Sequence, residues 1–272
     1  MRRVRRPGDD REPGYGMRLA ARRGHGRIPG GLERRFSVKV LVCGAGGFLA
    51  HAVVETLASE HTLRLFDARP LETAHEQITG DVADYATVER AVDGVEAIVD
   101  VIMAHESTYA GGAAKAFDTN VRGLYSLLEA ARQKGVRQVV HMSTGSVLTG
   151  HPVNSMRLTN DTPMRADSPY GLTKLLQEDI CRYFADRHGL AITALRPWGI
   201  HDVRLGITKY GPADPKGWHV IDRYDVAAAV ALALRNPGTG FRAYLLPGNA
   251  EARERLEWEG AERVLGWRPA RM

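Results

Sequence analysis

The sequence predicts an α/β protein built on a doubly wound parallel sheet. Short apolar runs rich in β-formers alternate with longer runs of helical period from residue 38 onward. The apolar runs are continuous rather than alternating, as strands buried on both faces require. The first of them stops on a glycine cluster that opens directly into the first helical pattern.

Taken in order, residues 38–43 form the first strand and 51–59 the first helix, with Val53, Val54, Leu57 and Ala58 on one side. Residues 63–66 are the second strand. A short extended segment then leads to Gly80-Asp81-Val82, and a helix starts near Asp84. Residues 97–101 make a further strand. Phe117, Val121, Leu124, Leu127, Leu128 and Ala131 recur at helical spacing and predict a helix over 115–134. Strand 136–142, helix 169–188, strand 191–195, helix 225–234 and a final short strand 244–246 complete the order. Parallel neighbours need crossover connections, which these helices supply on both faces. The chain divides into an arm (1–36), a nucleotide-binding domain (37–200) and a small substrate lobe integrated with it (201–272).

Composition narrows the function. At 272 residues, 44% hydrophobic and 25% charged, the chain reads as an ordinary globular protein. No apolar run approaches the roughly 18 residues that would cross a membrane. Cys43 and Cys181 lie inside apolar segments without a CxxC or Cys/His spacing, which argues against a bound metal and fits a reducing compartment, the cytoplasm. The net charge of +5 is misleading about nucleic acid: residues 1–36 hold eleven Arg against four acids, so the arm carries +7 and the remainder −2. The arm is Arg-, Gly- and Pro-rich without apolar periodicity and is expected to be disordered, an upstream extension with Met17 as an alternative start. The competing reading of the arm is an interaction or RNA contact.

Gly44-Ala45-Gly46-Gly47-Phe48-Leu49-Ala50 joins the first strand to the first helix. Gly44 permits the tight turn, Gly47 lets the backbone approach a pyrophosphate at the helix N-terminus, and Ala50 is small enough for close helix–strand packing. Phe48 and Leu49 continue the cradle. Asp67 closes the second strand 23 residues after Gly44, where a carboxylate accepts bonds from ribose hydroxyls and repels a 2′-phosphate. NAD is therefore the expected cofactor, with Arg69 beside it moderating the preference. Asp81, followed by Val82, either meets the adenine amino group or caps the next helix.

Tyr170 and Lys174, in Ser168-Pro169-Tyr170-Gly171-Leu172-Thr173-Lys174, stand on one helical face. A cation beside a phenol stabilises its anion, which suits general acid/base work. Strand 136–142 ends in Ser143, Thr144 and Ser146, three hydroxyls at the sheet edge where ligands of such folds bind.

Together with Asn120-Val121-Arg122-Gly123, Leu195-Arg196-Pro197 and Leu265-Gly266-Trp267-x-Pro269, these motifs resemble the extended short-chain dehydrogenase/reductase superfamily, the NAD-dependent sugar epimerase/dehydratase group, over about residues 38–270. The resemblance implies a Rossmann-like fold. It implies Tyr170 as general acid/base, Lys174 as its partner, Asn120 as a structural or proton-relay residue, and one of Ser143, Thr144 and Ser146 as the oxygen-polarising donor, with Thr144 favoured by counting from the strand end. Ser143 and Pro197 fall to the cofactor site. The sequence departs from the pattern at Ile102-Met103, where two small residues are usual under the cofactor, and at Asp100, where a histidine is common. His105 and Glu106, just beyond, read as a solvated loop pair or, alternatively, as substrate contacts. Only about two dozen residues separate Pro197 from the 221–227 segment, too few for a nucleotide-gripping lobe. That compactness resembles the uronate dehydrogenases, which oxidise free sugar acids and hold the carboxylate with an arginine. Arg204, Lys209 and Lys216 are the cations available here, and Trp198 and His201 are expected in the pocket.

The expected activity is NAD-dependent oxidation of a hydroxyl or hemiacetal on a small sugar, sugar acid or polyol. The alternatives are a redox-neutral epimerase or dehydratase and a non-catalytic dinucleotide-binding protein. The resemblance also implies a homodimer through the helices of 115–134 and 170–187.

Overall fold

The computed structural model describes residues 37–105 and 112–270. The arm, Glu106 and their readings lie outside the described residues. Seven parallel strands form the central sheet: β1 (Lys39–Cys43), β2 (Thr62–Asp67), β3 (Glu76–Thr79), β4 (Ala97–Asp100), β5 (Gln138–Met142), β6 (Ala191–Arg196) and β11 (Phe241–Leu245). Their spatial order is β11-β6-β5-β4-β1-β2-β3. The order reverses between β1 and β4, the switch point outside which ligands bind in open α/β sheets. The Rossmann-like sheet expected from the sequence is the one found.

Successive side chains of a strand face opposite ways, so each strand feeds two cores. Val40, Val42, Leu63, Leu65 and Val99 pack beneath α1 (Phe48–Leu57) and α6 (Arg223–Arg235), with Val53, Leu57, Val226 and Val230. Leu41, Cys43, Phe66 and Ile98 face α2 (Tyr85–Val92), α4 (Gly123–Gln133) and α5 (Pro169–His188), with Val88, Leu127, Leu128 and Phe184. Trp267, fully buried, closes the first core and donates its indole N–H to the Asp225 carbonyl at 2.8 Å. It follows α7 (Ala250–Arg255) and α8 (Glu259–Leu265).

Three elements differ from expectation. The first helix starts at Phe48 because Gly47 serves as its N-cap. The helix expected over 115–134 is three pieces: α3 (Gly112–Phe117), a π segment (Asp118–Arg122) and α4. The wider π turn carries Asn120 into the interior, and such bulges concentrate at functional sites. The last strand begins at Phe241, not 244; its polar Arg242 folds back onto Thr193 and the Asn236 carbonyl, so its place in the sheet leaves no apolar signal.

Segment 201–272 contributes α6 and β11 to the central layers. Its remaining short strands, β8 (Ile207–Thr208), β9 (Gly211–Pro212) and β10 (Val220–Asp222), gather with β7 (Gly199–His201). β10 pairs in parallel with β7, and β8 with β9 as a hairpin.

Candidate active site

A cleft of about 850 Å³ opens over the C-terminal ends of β1, β2, β4, β5 and β6. That is near the upper end of the roughly 300–1,000 Å³ of small-molecule sites. At one end lies the glycine turn. Gly44 has φ +77°, and a Cβ there would come within 3.1 Å of the Ile102 backbone. Ile102 thus fills the space beneath the turn. Gly47 caps α1 without a side-chain bond. The first N–H groups of Phe48 and Leu49 therefore have no capping oxygen, and their residues line the cleft at the positive end of the helix dipole. That donor set suits a diphosphate.

Asp67 ends β2 beside this turn. Its Oδ2 accepts the Gly46 N–H at 2.8 Å and its Oδ1 the Arg69 N–H at 3.0 Å, which fixes the carboxylate while leaving lone pairs for hydroxyl donors. The Arg69 guanidinium is largely exposed, 3.8 Å from Asp67. Asp81 accepts the Ala83 N–H and the Lys115 ammonium, both at 2.9 Å. The Ala83 bond first, then Lys115, holds its carboxyl below the usual range. Its bonds close the turn before α2, whose N-cap is Asp84 rather than Asp81, and Asp81 also lines the cleft. Val82 and Pro197 also line the cleft.

Ser168 caps α5, its Oγ accepting the Gly171 N–H at 3.1 Å. A Cβ on Gly171 would stand 2.8 Å from the Ser146 carbonyl, so glycine alone lets the first turn of α5 lie against the 3₁₀ turn Gly145–Leu148. This contact brings Tyr170 onto the same wall as Thr144 and Ser146. Lys174 is buried one turn on, donating to the Met142 carbonyl at 2.9 Å and the Ile102 carbonyl at 3.4 Å. Burial pushes its ammonium down to about 8, while the Asp100 carboxylate pulls the other way.

The three hydroxyls separate. Ser143 donates to Glu178 at 2.6 Å, and Glu178 is gripped by Arg196 at 2.8 and 2.6 Å, so the Ser143 side chain belongs to a buried network. Thr144 Oγ1 accepts the Ser146 N–H and donates to Ser146 Oγ, each at 3.2 Å. The Ser146 proton is thereby left to point outward. Asn120 is the one expected site residue off the cleft wall. It is fully buried, pairs with both main-chain groups of Ala104 at 2.8 Å and donates to Thr173 Oγ1 at 2.9 Å. Those bonds give it a structural place.

The opposite end is lined by Met103, His105, Trp198, His201, Lys209, Tyr210 and His219. Of the two readings of His105, the solvated loop gives way: it is half-buried on the cleft wall with its ring 5.1 Å from that of Tyr170. Of the three cations considered, Lys209 lines the cleft. Lys216 pairs with Asp214 at 3.0 Å on the surface, and Arg204 is exposed and off the wall. Lys209 is exposed as a residue, and its ammonium lies 3.3 Å from Met103 Sδ and 4.5 Å from the Tyr210 ring centroid. Its burial among these groups, then the charge of Lys174, push it down to about 8. Lys115 and His219 were not singled out in the sequence. His219 reaches the cleft through the β7–β10 pairing, which no local pattern announces. Among the described residues no cluster of acids, His or Cys is arranged to hold a metal, and no helix is long and apolar enough to cross a membrane.

Residues 40–200 match the NAD dependent epimerase/dehydratase family. The chain is 33% identical over 169 residues to a uronate dehydrogenase of Pseudomonas putida, covering 58% of this chain and 59% of that protein. It is 30% identical over 246 residues to a uronate dehydrogenase of Agrobacterium fabrum, covering 85% and 84%. Its structure superposes on the crystal structure of uronate dehydrogenase from Agrobacterium tumefaciens with a TM-score of 0.70 at 26% identity, over 86% of this chain and 84% of that one. The chain thus spans less than two thirds of the length of the Pseudomonas relative, and most of the Agrobacterium ones.

Proposed function

The chain belongs to the NAD-dependent epimerase/dehydratase family, and from that premise we propose that it is an NAD-dependent dehydrogenase of small sugar acids. The observation that carries the substrate class is the charge of the cleft. Its two described acids, Asp67 and Asp81, lie at the glycine-turn end with Arg69 and Lys115 beside them, whereas the other end has Lys209 and no described carboxylate. A cation without a carboxylate partner among the described residues, beside the proton-transfer pair, suits a substrate carboxylate. The uronate dehydrogenases it is similar to supply the chemical precedent.

The uncapped start of α1 and the fixed Asp67 carboxylate fit the diphosphate and adenosine ribose of NAD. When bound, NAD supplies the hydride acceptor. The protein's own part is proton transfer and orientation. Tyr170 Oη takes the proton of the substrate hydroxyl, and the Lys174 ammonium stabilises the phenolate that accepts it. Ser146, its own oxygen already engaged by Thr144, donates to the substrate oxygen. Lys209 holds the carboxylate.

Two further readings belong with this one. The free, buried Cys43 and Cys181 thiols suit the cytoplasm, which localisation of a tagged chain would check. The exposed Tyr125, Leu172 and Tyr183 on α4 and α5 offer the faces for a second copy, and sedimentation should give twice the chain mass.

The deciding experiment mixes protein and NAD with uronic acids, neutral aldoses and polyols and follows the reduced-nicotinamide absorbance. Growth with uronic acids above all is expected. Silence across the panel, with NAD binding demonstrated, refutes the dehydrogenase reading in favour of a redox-neutral reaction.

A further inference from the structure

Asp100 and His141 lie beneath the cleft, both almost fully buried, on neighbouring strands that the β4–β5 register sets side by side. Asp100 Oδ2 meets His141 Nδ1 at 2.8 Å, and Asp100 Oδ1 accepts the Ile102 N–H at 3.1 Å. Asp100 is therefore bonded to the N–H of one of the two residues whose carbonyls hold Lys174, and His141 precedes the other in its strand. Ile102 is braced directly by Asp100, and Met142 follows His141 in β5. His141 Nε2 has no hydrogen-bond partner among the described residues, so a ring proton on Nδ1 serves Asp100 and leaves no buried N–H stranded.

We propose that the Asp100–His141 pair is a positioning device for Lys174, pinning the carbonyls that hold its ammonium and giving it a buried counter-charge. The proposal rests on the reading of Tyr170 and Lys174 as the proton-transfer pair. It also accounts for the departure at Asp100. Lys174 is fully buried with carbonyl partners alone among the described residues, and Asp100 is the first group to oppose the cost of that burial. The other groups around it are Tyr170, Glu178 and Cys181 on α5, His141 on β5, Cys43 on β1, Lys209 on the β8–β9 hairpin and His105 after β4. Arg196 on β6 neutralises Glu178, and the two thiols are held protonated by burial. Asp100 is thus the one buried anion near Lys174, among the described residues, that a cation does not already pair.

The test reads Lys174 itself, in the cofactor-free protein, through the carbon-13 shift of its Cε during a pH titration, assigned with Lys174→Arg. Asp100→Asn should lower the midpoint by about one unit, a tenfold change in the equilibrium. His141→Gln, which still donates to Asp100, should leave it in place. In the wild type, nitrogen-15 shifts should place the His141 proton on Nδ1. An unmoved midpoint in Asp100→Asn, or a neutral His141 protonated on Nε2, overturns the proposal, and the second measurement needs no variant to fold. The pH profile of turnover separates this from the underlying reading. If Lys174→Arg keeps the alkaline limb of the wild type, the dyad reading fails. If Lys174→Arg loses that limb but Asp100→Asn leaves it unmoved, only the positioning role fails.

Discussion

Replacing Glu178 by alanine strands a buried charge, and its cost can be worked from the structure. Glu178 and Arg196 are respectively 0% and 1% exposed at their side chains. Arg196 donates twice to the carboxylate and once to the Asn160 carbonyl at 3.0 Å. Without Glu178, the guanidinium keeps only the Asn160 bond, and the Ser143 hydroxyl loses its acceptor. Breaking such a pair from one side costs about 3–5 kcal/mol. That is a large part of the roughly 5–15 kcal/mol that holds a domain folded. Urea unfolding followed by circular dichroism should show the loss as a lower midpoint. The double variant Glu178→Leu/Arg196→Met removes both charges and should recover most of it. A double variant no more stable than Glu178→Ala would refute the reasoning, since the cost would then lie in lost packing. The pH dependence has a definite sign. Burial opposes the Glu178 charge, but the Arg196 bonds outweigh it and hold the carboxyl below its ordinary value. A depressed carboxyl stabilises above its unfolded value of about 4.3 and loses that stabilisation as pH falls through the folded value. The gap between wild type and Glu178→Gln should therefore be full at pH 6 and close below pH 4.

Four further outcomes bear on the site. Tyr170→Phe should lower kcat by about 10²–10⁴-fold with NAD affinity retained, as loss of a general acid/base does; Ser146→Ala should cost more than Thr144→Val, and the reverse order would reassign the donor. Asp67→Ser removes a charge facing any 2′-phosphate, worth about 1 kcal/mol even with water-like screening at 4 Å, so the NAD-to-NADP ratio of kcat/KM should fall about fivefold or more, and an unchanged ratio would remove Asp67 from the ribose site. Lys209→Met should raise KM for a uronic acid by about tenfold or more, the worth of a charge-assisted bond, while leaving any activity on neutral aldoses unchanged; equal losses on both would disprove a carboxylate role.

What the sequence made legible is what one element and its ends encode. The Gly44–Ala50 turn needs a strand before and a helix after, and Tyr170 and Lys174 need only four residues of one helix. The capped start of α5 at Ser168-Pro169 and its end before Gly189 are likewise written locally. What stayed hidden depends on register between distant segments. Asp100 meets His141 across 41 residues, and Ser143 meets Glu178 across 35. Lys209 was one of three cations in a stretch without periodicity, and only the hairpin turns it toward the cleft. His105 read as loop because its partner, the Tyr170 ring, is 65 residues away. The π segment was hidden for a different reason: it keeps the apolar spacing of a helix while adding a residue to the turn.

Several of these hidden contacts share one element. The inward face of α5 continues into the second apolar core through Cys181 and Phe184, but nearer the cleft it presents Thr173, Lys174, Gln177 and Glu178, all buried and all polar. That part of the face is held by hydrogen bonds, and each bond fixes an atom of the site. Thr173 and Gln177 meet Asn120, whose side chain anchors the Ala104 peptide beside the cleft-lining Met103 and His105. Lys174 joins the ends of β4 and β5, and Glu178 fixes the Ser143 hydroxyl one residue before Thr144. The residues that keep α5 in place are therefore the ones that aim Tyr170. Core changes on the opposite side of the sheet, such as Val53→Ala or Val230→Ala, remove methyl groups and should cost stability alone. Changes along this face of α5 move stability and turnover together, because the same bonds serve both.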